Sequence, residues 1–398
     1  MTEVVGAQSD WPIPVDDPYP TLARLRAQRH VHFLPYSESY LVVANHEANM
    51  ILTGQRWSAD PRSNPATQER LAGSAASEFL SKSVLFSDPP EHHRLRRALS
   101  GHLTPAAVEG LRPRIRSIVE SAIVGCDELS FELMDRIAYP VPLAVICEIL
   151  DVAPSTAEVL RSDTPKMVDI LDPLAGPEAF DASAAAAFGI MLELVPLIAD
   201  RRSDPGDDML SSLVSGNADQ PGLETDEAIM MALLLLAAGH ETTANLIGNV
   251  VACLHSHPDQ IRWLRAHPSA IGPAIEEVLR FESPVQLTSR VATDDVELDG
   301  LALAAGTHVF VSIGGANRDP GVFIDPDQFD LRRASPRHLS FGHGAHFCAG
   351  ASLARAEAQE VLSFLLSLDP PLEDREVQVQ RGDSHTFRRI QRLEIVSA

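Results

Sequence analysis

Apolar residues recur at helical spacing through the middle of this chain, from about residue 105 to residue 280. Leu111, Ile115, Ile118 and Val119 form one such stripe, Met230 through Leu236 a second, and Ile275, Val278 and Leu279 a third. Strand-like runs are few and short: His32-Phe33-Leu34, Tyr40-Leu41-Val42-Val43 and Thr307-His308-Val309-Phe310-Val311. The pattern predicts a mainly helical protein with small sheets near the N-terminus and in the last third. There is no internal repeat or low-complexity tract. Prolines (Pro12, Pro14, Pro18, Pro20, Pro89, Pro90, Pro284, Pro320, Pro326) are scattered rather than gathered into a linker, so residues 1–398 are expected to form one domain.

Thr225 to His255 reads as one long helix, apolar on all sides from Ile229 to Ala238. Such a helix belongs in the middle of a large protein. Polar groups interrupt it at Gly239-His240-Glu241-Thr242-Thr243. Gly239 weakens the helix by about 1 kcal/mol against alanine and leaves room beside the backbone. A threonine here usually bonds a carbonyl of its own helix. An acid beside an alcohol can also pass protons inward. The apolar run from Ile229 to Gly239 is too short to span a bilayer, and a soluble protein is expected.

Charge narrows the function classes. The formal net charge of −23 argues against nucleic-acid binding, which needs a basic footprint. Lys82 and Lys166 are the only lysines, so the basic side chains are almost all arginine. The four cysteines (Cys126, Cys147, Cys253, Cys348) form no CxxC pair and no disulfide-like spacing, which suits a reducing cytoplasm. The N-terminal residues carry acids and lack the basic and apolar regions of a signal peptide. Cytoplasmic location without a membrane is the expectation.

The densest chemistry lies in Phe341-Gly342-His343-Gly344-Ala345-His346-Phe347-Cys348-Ala349-Gly350. Cys348 sits in a glycine-punctuated loop just before a helical pattern that starts at Ala351. Free N–H groups and the helix dipole there favour thiolate over thiol. A lone cysteine in such a turn is most often an inert buried thiol. A thiolate can also ligate a metal, including heme iron. Gly344 lets the backbone turn, and Gly350 lets the new helix pass close to a flat ligand. Phe341 limits water at the sulfur.

This loop resembles the heme-binding signature of the cytochrome P450 family, Phe-x-x-Gly-x-His/Arg-x-Cys-x-Gly, at Phe341, Gly344, His346, Cys348 and Gly350. Ala349 departs from the bulkier aliphatics common in bacterial members. Ala238-Gly239-His240-Glu241-Thr242-Thr243 is similar to the family's oxygen-activation motif. The resemblance, which covers most of the chain, implies a mainly α P450 fold: one large helical domain with small β-sheets around a buried heme b. It implies Cys348 as the axial iron ligand, Thr242 steadying activated oxygen, and Glu241 feeding protons. Ala238 lies against the heme. Glu277 and Arg280, at i,i+3, match the family's Glu-x-x-Arg pair, completed by Arg333 after Phe329-Asp330; these hold the fold.

Buried propionates need cations and donors. By the same resemblance these are His92 and Arg96 (in Asp88-Pro89-Pro90-Glu91-His92-His93-Arg94-Leu95-Arg96), Arg290, His338 and His346. Arg94, Arg97, Arg112, Arg114, Arg116, Arg332 and Arg355 gather in the same regions. They suggest a positive patch for an acidic electron donor, a ferredoxin served by its reductase.

The implied activity is a monooxygenase of the bacterial, soluble type, monomeric, taking O2 and a small hydrophobic substrate. Polyketide-type tailoring is the favoured setting, with the substrate free or on an acyl or peptidyl carrier protein. The rival is a heme-thiolate oxidase that couples phenols or aryl groups without inserting oxygen. The intact Glu241-Thr242 pair favours oxygen activation. Pocket walls are expected from residues 62–85, 167–171, 285–288 and 384–387.

Overall fold

A helix that is apolar on every side must be covered on every side, and Thr225–His255 becomes the axis of the protein. The computed structural model describes residues 11–72, 82–99, 101–124, 130–153, 156, 172, 174, 177–217, 220–334 and 337–397. The expected pocket segment at 167–171, part of that at 62–85, and Cys126 lie outside the described residues.

In chain order the helices are α1 (Tyr19–Gln28), α2 (Asn45–Thr53), α3 (Pro65–Leu71), α4 (Glu91–Ala98), α5 (Pro105–Ala122), α6 (Pro140–Leu150), α7 (Pro177–Ser203), α8 (Met209–Ser215), α9 (Thr225–His255), α10 (Pro258–Ala266), α11 (Ile271–Phe281), α12 (Ile313–Ala316) and α13 (Ala351–Leu365). Helix α9 starts at a reciprocal capping box between Glu224 and Glu227. Its flanks are covered by α6, α7, α8, α10, α11 and α13. By length and composition α9 could cross a bilayer, but 78% of its most apolar window is buried inside the protein. It is a core helix.

Strands β1 (Val31–Leu34), β2 (Ser39–Val42), β3 (Trp57–Ser58), β7 (Leu287–Ala292) and β10 (His308–Ser312) make a five-stranded sheet in the order β1-β2-β10-β7-β3. Only the β2–β10 pairing is parallel among them. Opposite Val309, the register of β7 places Arg290. Val31, Val42, Val309 and Val311 pack from this sheet onto Ala48, Ile51 and Leu52 of α2. A second sheet, β11-β12-β4, joins β4 (Ser130–Glu132), β11 (Arg375–Arg381) and β12 (Ile390–Ser397). Two small hairpins, β5–β6 (Gly216–Asn217 with Gln220–Pro221) and β8–β9 (Val296–Leu298 with Leu301–Leu303), complete the strands.

The three strands expected from the sequence are present, each within one residue of its expected bounds. The β11–β12 ribbon had not been expected. The alternation in β11 is confined to Val377-Gln378-Val379-Gln380, and in β12 the adjacent polar pair Gln391-Arg392 breaks it.

The Glu277–Arg280 pair lies wholly inside the protein. Arg280 Nε donates to Glu277 Oε2 and Nη2 to Oε1, each at 2.8 Å. Its remaining N–H groups reach the carbonyls of Asn317 (3.1 Å), Pro326 (2.8 Å) and Gln328 (3.1 Å). Arg333 adds a bond from Nε to Glu277 Oε1 at 3.2 Å. Exposed Glu/Arg pairs contribute little. Here every donor of a buried guanidinium is met, and the pair locks the loop that leads to the cysteine.

Glu357, on α13, is buried with one oxygen, Oε2, lacking a partner among the described residues. Burial pushes its carboxyl up to about 8. In the unfolded chain a glutamate ionises near ~4.3. Between those values the folded protein holds a proton that the unfolded chain has lost. The stability tied to Glu357 is therefore full below the unfolded value and is lost as pH rises through about 8. Glu357→Gln should flatten this decline. The check is the thermal midpoint of both proteins from acid to alkaline pH: the variant should lose less between pH ~6 and ~9 than the parent.

Candidate active site

The loop before α13 is shaped by two residues that need left-handed backbone. Gly342 and Gly344 have φ of 71° and 72°. A Cβ on Gly344 would also sit 2.5 Å from the carbonyl oxygen of Leu52, at the end of α2. Cys348 N–H donates to Phe341 O at 2.8 Å and closes the loop on itself. Asn317 Oδ1 accepts from Leu339 N–H at 2.7 Å, and its amide donates to Ser340 Oγ at 2.9 Å. Ser340 Oγ in turn donates to Leu279 O on α11 at 2.6 Å. Arg355 lies over the Phe341 ring, 4.4 Å from its centroid.

The Gly350 N–H favours the thiolate form of the Cys348 sulfur. A Cβ at Gly350 would approach that sulfur only to 4.0 Å, an ordinary contact, so the sulfur itself does not demand glycine there. The sequence led us to expect a thiol tuned toward thiolate by the helix start. In the protein alone, burial pushes the Cys348 thiol up, and this outweighs the Gly350 N–H, Arg96 and Arg355, which pull it down. A coordinated cation removes such a proton outright. Cys348 nevertheless keeps open surface. A side chain so enclosed that desolvation governs it, yet with open surface, faces an interior cleft.

Helix α9 has one uncovered stripe toward the interior. Leu235, Ala238, Gly239 and Thr242 are half-buried, whereas almost every neighbour on α9 is buried. These positions share one face of a helix. A Cβ on Gly239 would meet nothing within 4 Å, so this glycine leaves open space beside the helix. Helix α9 packs on α13, which begins three residues after Cys348, bringing stripe and sulfur into the same region.

Thr242 Oγ1 donates to Ala238 O at 2.6 Å. With its proton committed to the helix, the hydroxyl oxygen is left to accept. Glu241 faces elsewhere. Its Oε1 lies 3.4 Å from Arg389 Nε, beside β12, and accepts from Asn245 Nδ2 at 3.2 Å. His240 Nε2–H donates to Tyr139 O at 3.0 Å, and burial holds this histidine down to about 4, hence neutral. Thr242 thus lies on the half-buried stripe, while Glu241 turns away from it toward Arg389 and Asn245. Arg389, which the sequence did not single out, is the cation of Glu241. It stands in a tail without periodicity, and only the fold shows its partner.

Four basic groups converge near the cysteine loop. Arg96 Nη2 donates to Phe347 O at 2.6 Å. One turn earlier on α4, His92 is buried and neither ring nitrogen has a partner among the described residues. Its ring stands 4.2 Å from that of His346. Burial, then Arg290, His92 and Arg96, push His346 down to about 3. Burial also lowers Arg290 to about 10, against the pull of Asp88. Asp88 is itself engaged by Ser58 Oγ and by Ala59 N–H. Like charges and unmet buried donors at one place make a site for an anion, preferably with two carboxylates. With the cysteine sulfur and the open face of α9, this donor set fits a heme.

Two expectations need correction. His338 does not join this cluster: Nε2–H donates to Glu276 Oε2 and Nδ1 accepts from Ser340 N–H, each at 3.2 Å. Both nitrogens are committed, so it offers no donor to a propionate. The expected positive patch is also largely cancelled. Arg94 pairs with Glu91 and Glu227, Arg112 with Glu109 and Glu360, Arg114 with Glu148, Arg116 with Glu360, and Arg355 with Glu276. Arg332 lies over Trp263, 5.1 Å from the ring centroid.

Comparison with known proteins identifies the family and the fold. A family model described as Cytochrome P450 matches residues 272–368. The chain is 40% identical over 367 residues to the cytochrome P450 monooxygenase PikC of Streptomyces venezuelae, covering 89% of this chain and 85% of PikC. The solved structure of P450BioI in complex with an acyl carrier protein ligated to hexadec-9Z-enoic acid superposes with a TM-score of 0.90 at 32% identity, over 96% of this chain and 98% of that one. The cytochrome P450 PksS of the Bacillus subtilis 168 bacillaene polyketide synthase gives 0.86 at 29% identity, over 96% and 97%.

Gly344→Ala tests the shape of the loop. It combines left-handed backbone with a 2.5 Å clash on Leu52 O, so the loop must move. Heme per chain in the purified variant should fall well below that of the parent, read from the ratio of Soret to protein absorbance.

Proposed function

The chain belongs to the cytochrome P450 family and is a heme-thiolate monooxygenase; from that premise we propose that Cys348 is the iron ligand of an enzyme that oxygenates a hydrophobic natural product. The observation that carries this reading is the Cys348 sulfur, enclosed enough for burial to govern it yet with open surface, in the loop that leads into the helix packed on α9.

His92, Arg96, Arg290 and His346 hold the heme carboxylates, and a dianion meets donors that otherwise repel one another. When bound, heme supplies two-electron activation of dioxygen, with one oxygen atom entering the substrate and the other leaving as water. Phe341 and the closed loop keep water from the sulfur. Gly350 N–H draws electron density from that sulfur and moderates its basicity. Ala238 and Gly239 give the reacting end of the substrate space against α9.

Thr242 acts as a fixed acceptor, because its proton is held by Ala238 O. It orients a proton donor at the reacting oxygen and gives up no proton itself. Glu241 is the inner end of a proton supply from solvent, and its ion pair with Arg389 gates that supply. Arg389 is 23% exposed, whereas Glu241 is 3% exposed. Release of Glu241 from Arg389 lets the carboxyl carry a proton from the solvent side toward Thr242.

Electrons come from an external ferredoxin with its reductase. Because most of the arginines near the cysteine loop are paired with acids, such a donor would engage Arg332 and exchange some of the existing ion pairs. The likeness to P450BioI, whose structure holds an acyl carrier protein, and to PksS of a polyketide synthase supports a polyketide- or acyl-type substrate, free or carrier-bound.

The decisive experiment supplies isotope-labelled dioxygen with a surrogate ferredoxin and reductase to candidate polyketide substrates. One labelled oxygen atom per product supports the monooxygenase reading, while coupled product without label supports the oxidase alternative. In the same assay Thr242→Ala should consume dioxygen at a rate near the parent's. Product per electron should fall by roughly 10-fold or more, the scale of losing one positioned group in proton transfer.

A further inference from the structure

At the β1 edge of the five-stranded sheet, three side chains from three elements meet. His30 stands just before β1, Glu47 in the first turn of α2, and Asp299 at the tip of the β8–β9 hairpin. One ligating atom from each lies within 4.8 Å of the other two. His30 Nδ1–H donates to Glu47 Oε1 at 3.0 Å. Asp299 Oδ2 accepts from the backbone N–H groups of His30 (3.2 Å) and Val31 (3.3 Å), and Arg29 Nε approaches it at 3.7 Å. The Glu47 side chain is only 9% exposed. Its second oxygen, Oε2, has no partner among the described residues.

That last feature is what the His30–Glu47 pair leaves unexplained. A buried carboxylate oxygen without a partner is destabilising. One imidazolium proton satisfies Oε1 alone. It leaves Oε2 unmet, and Arg29 is directed at Asp299 rather than at Glu47. A cation among the three side chains would meet all of this at once. Neutral imidazole with two carboxylates carries charge −2, which a divalent ion cancels. One nitrogen and two oxygen donors suit zinc and its borderline neighbours, because imidazole is a poor ligand for magnesium or calcium.

We propose that His30, Glu47 and Asp299 form an accessory binding site for a divalent cation of the zinc type, with solvent water completing its coordination. The ion ties the start of β1 and the β8–β9 hairpin to α2. Helix α2 in turn supports the cysteine loop: Asn49 Oδ1 accepts from His343 Nδ1–H at 2.7 Å, and Leu52 O lies under Gly344. The cation would therefore stiffen a wall of the heme site from outside it.

The test titrates zinc ions alone into the heme-loaded full chain by calorimetry and locates them by anomalous diffraction at the zinc edge. His30→Ala removes the nitrogen ligand. Asp299→Asn removes a charge but keeps an oxygen that can accept from His30 and Val31, so the local backbone survives. The parent should bind one more zinc equivalent than either variant, or bind it at least about tenfold more tightly, since even the loss of a supporting group around a metal costs that much. Zinc should raise the thermal midpoint of the parent and not of Asp299→Asn. Identical titrations in all three proteins, or an anomalous peak elsewhere with none between these residues, would overturn the proposal.

Discussion

The buried guanidinium of Arg280 is the constraint on which the site depends. It has five N–H donors, and five acceptors meet them: both oxygens of Glu277 and the carbonyls of Asn317, Pro326 and Gln328. A buried charge is tolerable only when it is paired and its remaining hydrogen bonds are made. Satisfying Arg280 therefore fixes the 317–328 loop against α11. Asn317 carries that order onward to Leu339 and Ser340, and Ser340 ties back to α11. The cysteine loop is thus hung from the core by an ion pair far from the chemistry. Losing one partner of such a pair costs about 3–5 kcal/mol, whereas the same pair on the surface is worth at most about 1 kcal/mol.

The electrostatics around Cys348 show what kind of ligand the site is built for. Four basic groups crowd together, and Arg96 and Arg290 lower the proton affinity of both histidines. The thiol is held protonated by burial against the pull of Gly350 N–H and two arginines. Each feature is unfavourable for the protein alone. A flat dianion carrying a metal cation reverses both: its carboxylates pair the basic groups and its metal takes the sulfur as thiolate. On α9, Thr242 and Glu241 are adjacent in sequence but serve different surroundings. A helix turns about 100° per residue, so neighbours cannot share a narrow face. Thr242 therefore meets the cleft while Glu241 meets Arg389.

Most of the helical core was legible in the sequence, because the apolar stripe of α9 and the punctuated cysteine loop each have one plausible physical home. The strands β1, β2 and β10 were legible for the same reason. The β11–β12 ribbon was not, since the alternating run of β11 is short and Gln391-Arg392 breaks the two-residue period of β12. Within the site, the left-handed glycines Gly342 and Gly344 follow from local spacing. The errors arose where long side chains choose among distant partners. His338 bonds Glu276 on α11, Arg389 crosses from the C-terminal tail to Glu241, and the proximal arginines find glutamates on other helices. Such choices are set by tertiary packing, and no residue count along the chain reveals them. The Cys348 thiol was misjudged because a helix start favours thiolate only when burial does not outweigh it.

The central claim is that Cys348 binds heme iron through sulfur, and the carbon monoxide spectrum of the dithionite-reduced protein tests it most directly. The wild type should give the strongly red-shifted Soret band of a thiolate-ligated heme. Cys348→Ser should lose that band while keeping the helical circular dichroism of the parent. A red-shifted band that survives in Cys348→Ser, or a histidine-type carbonyl spectrum in the wild type, would contradict the account.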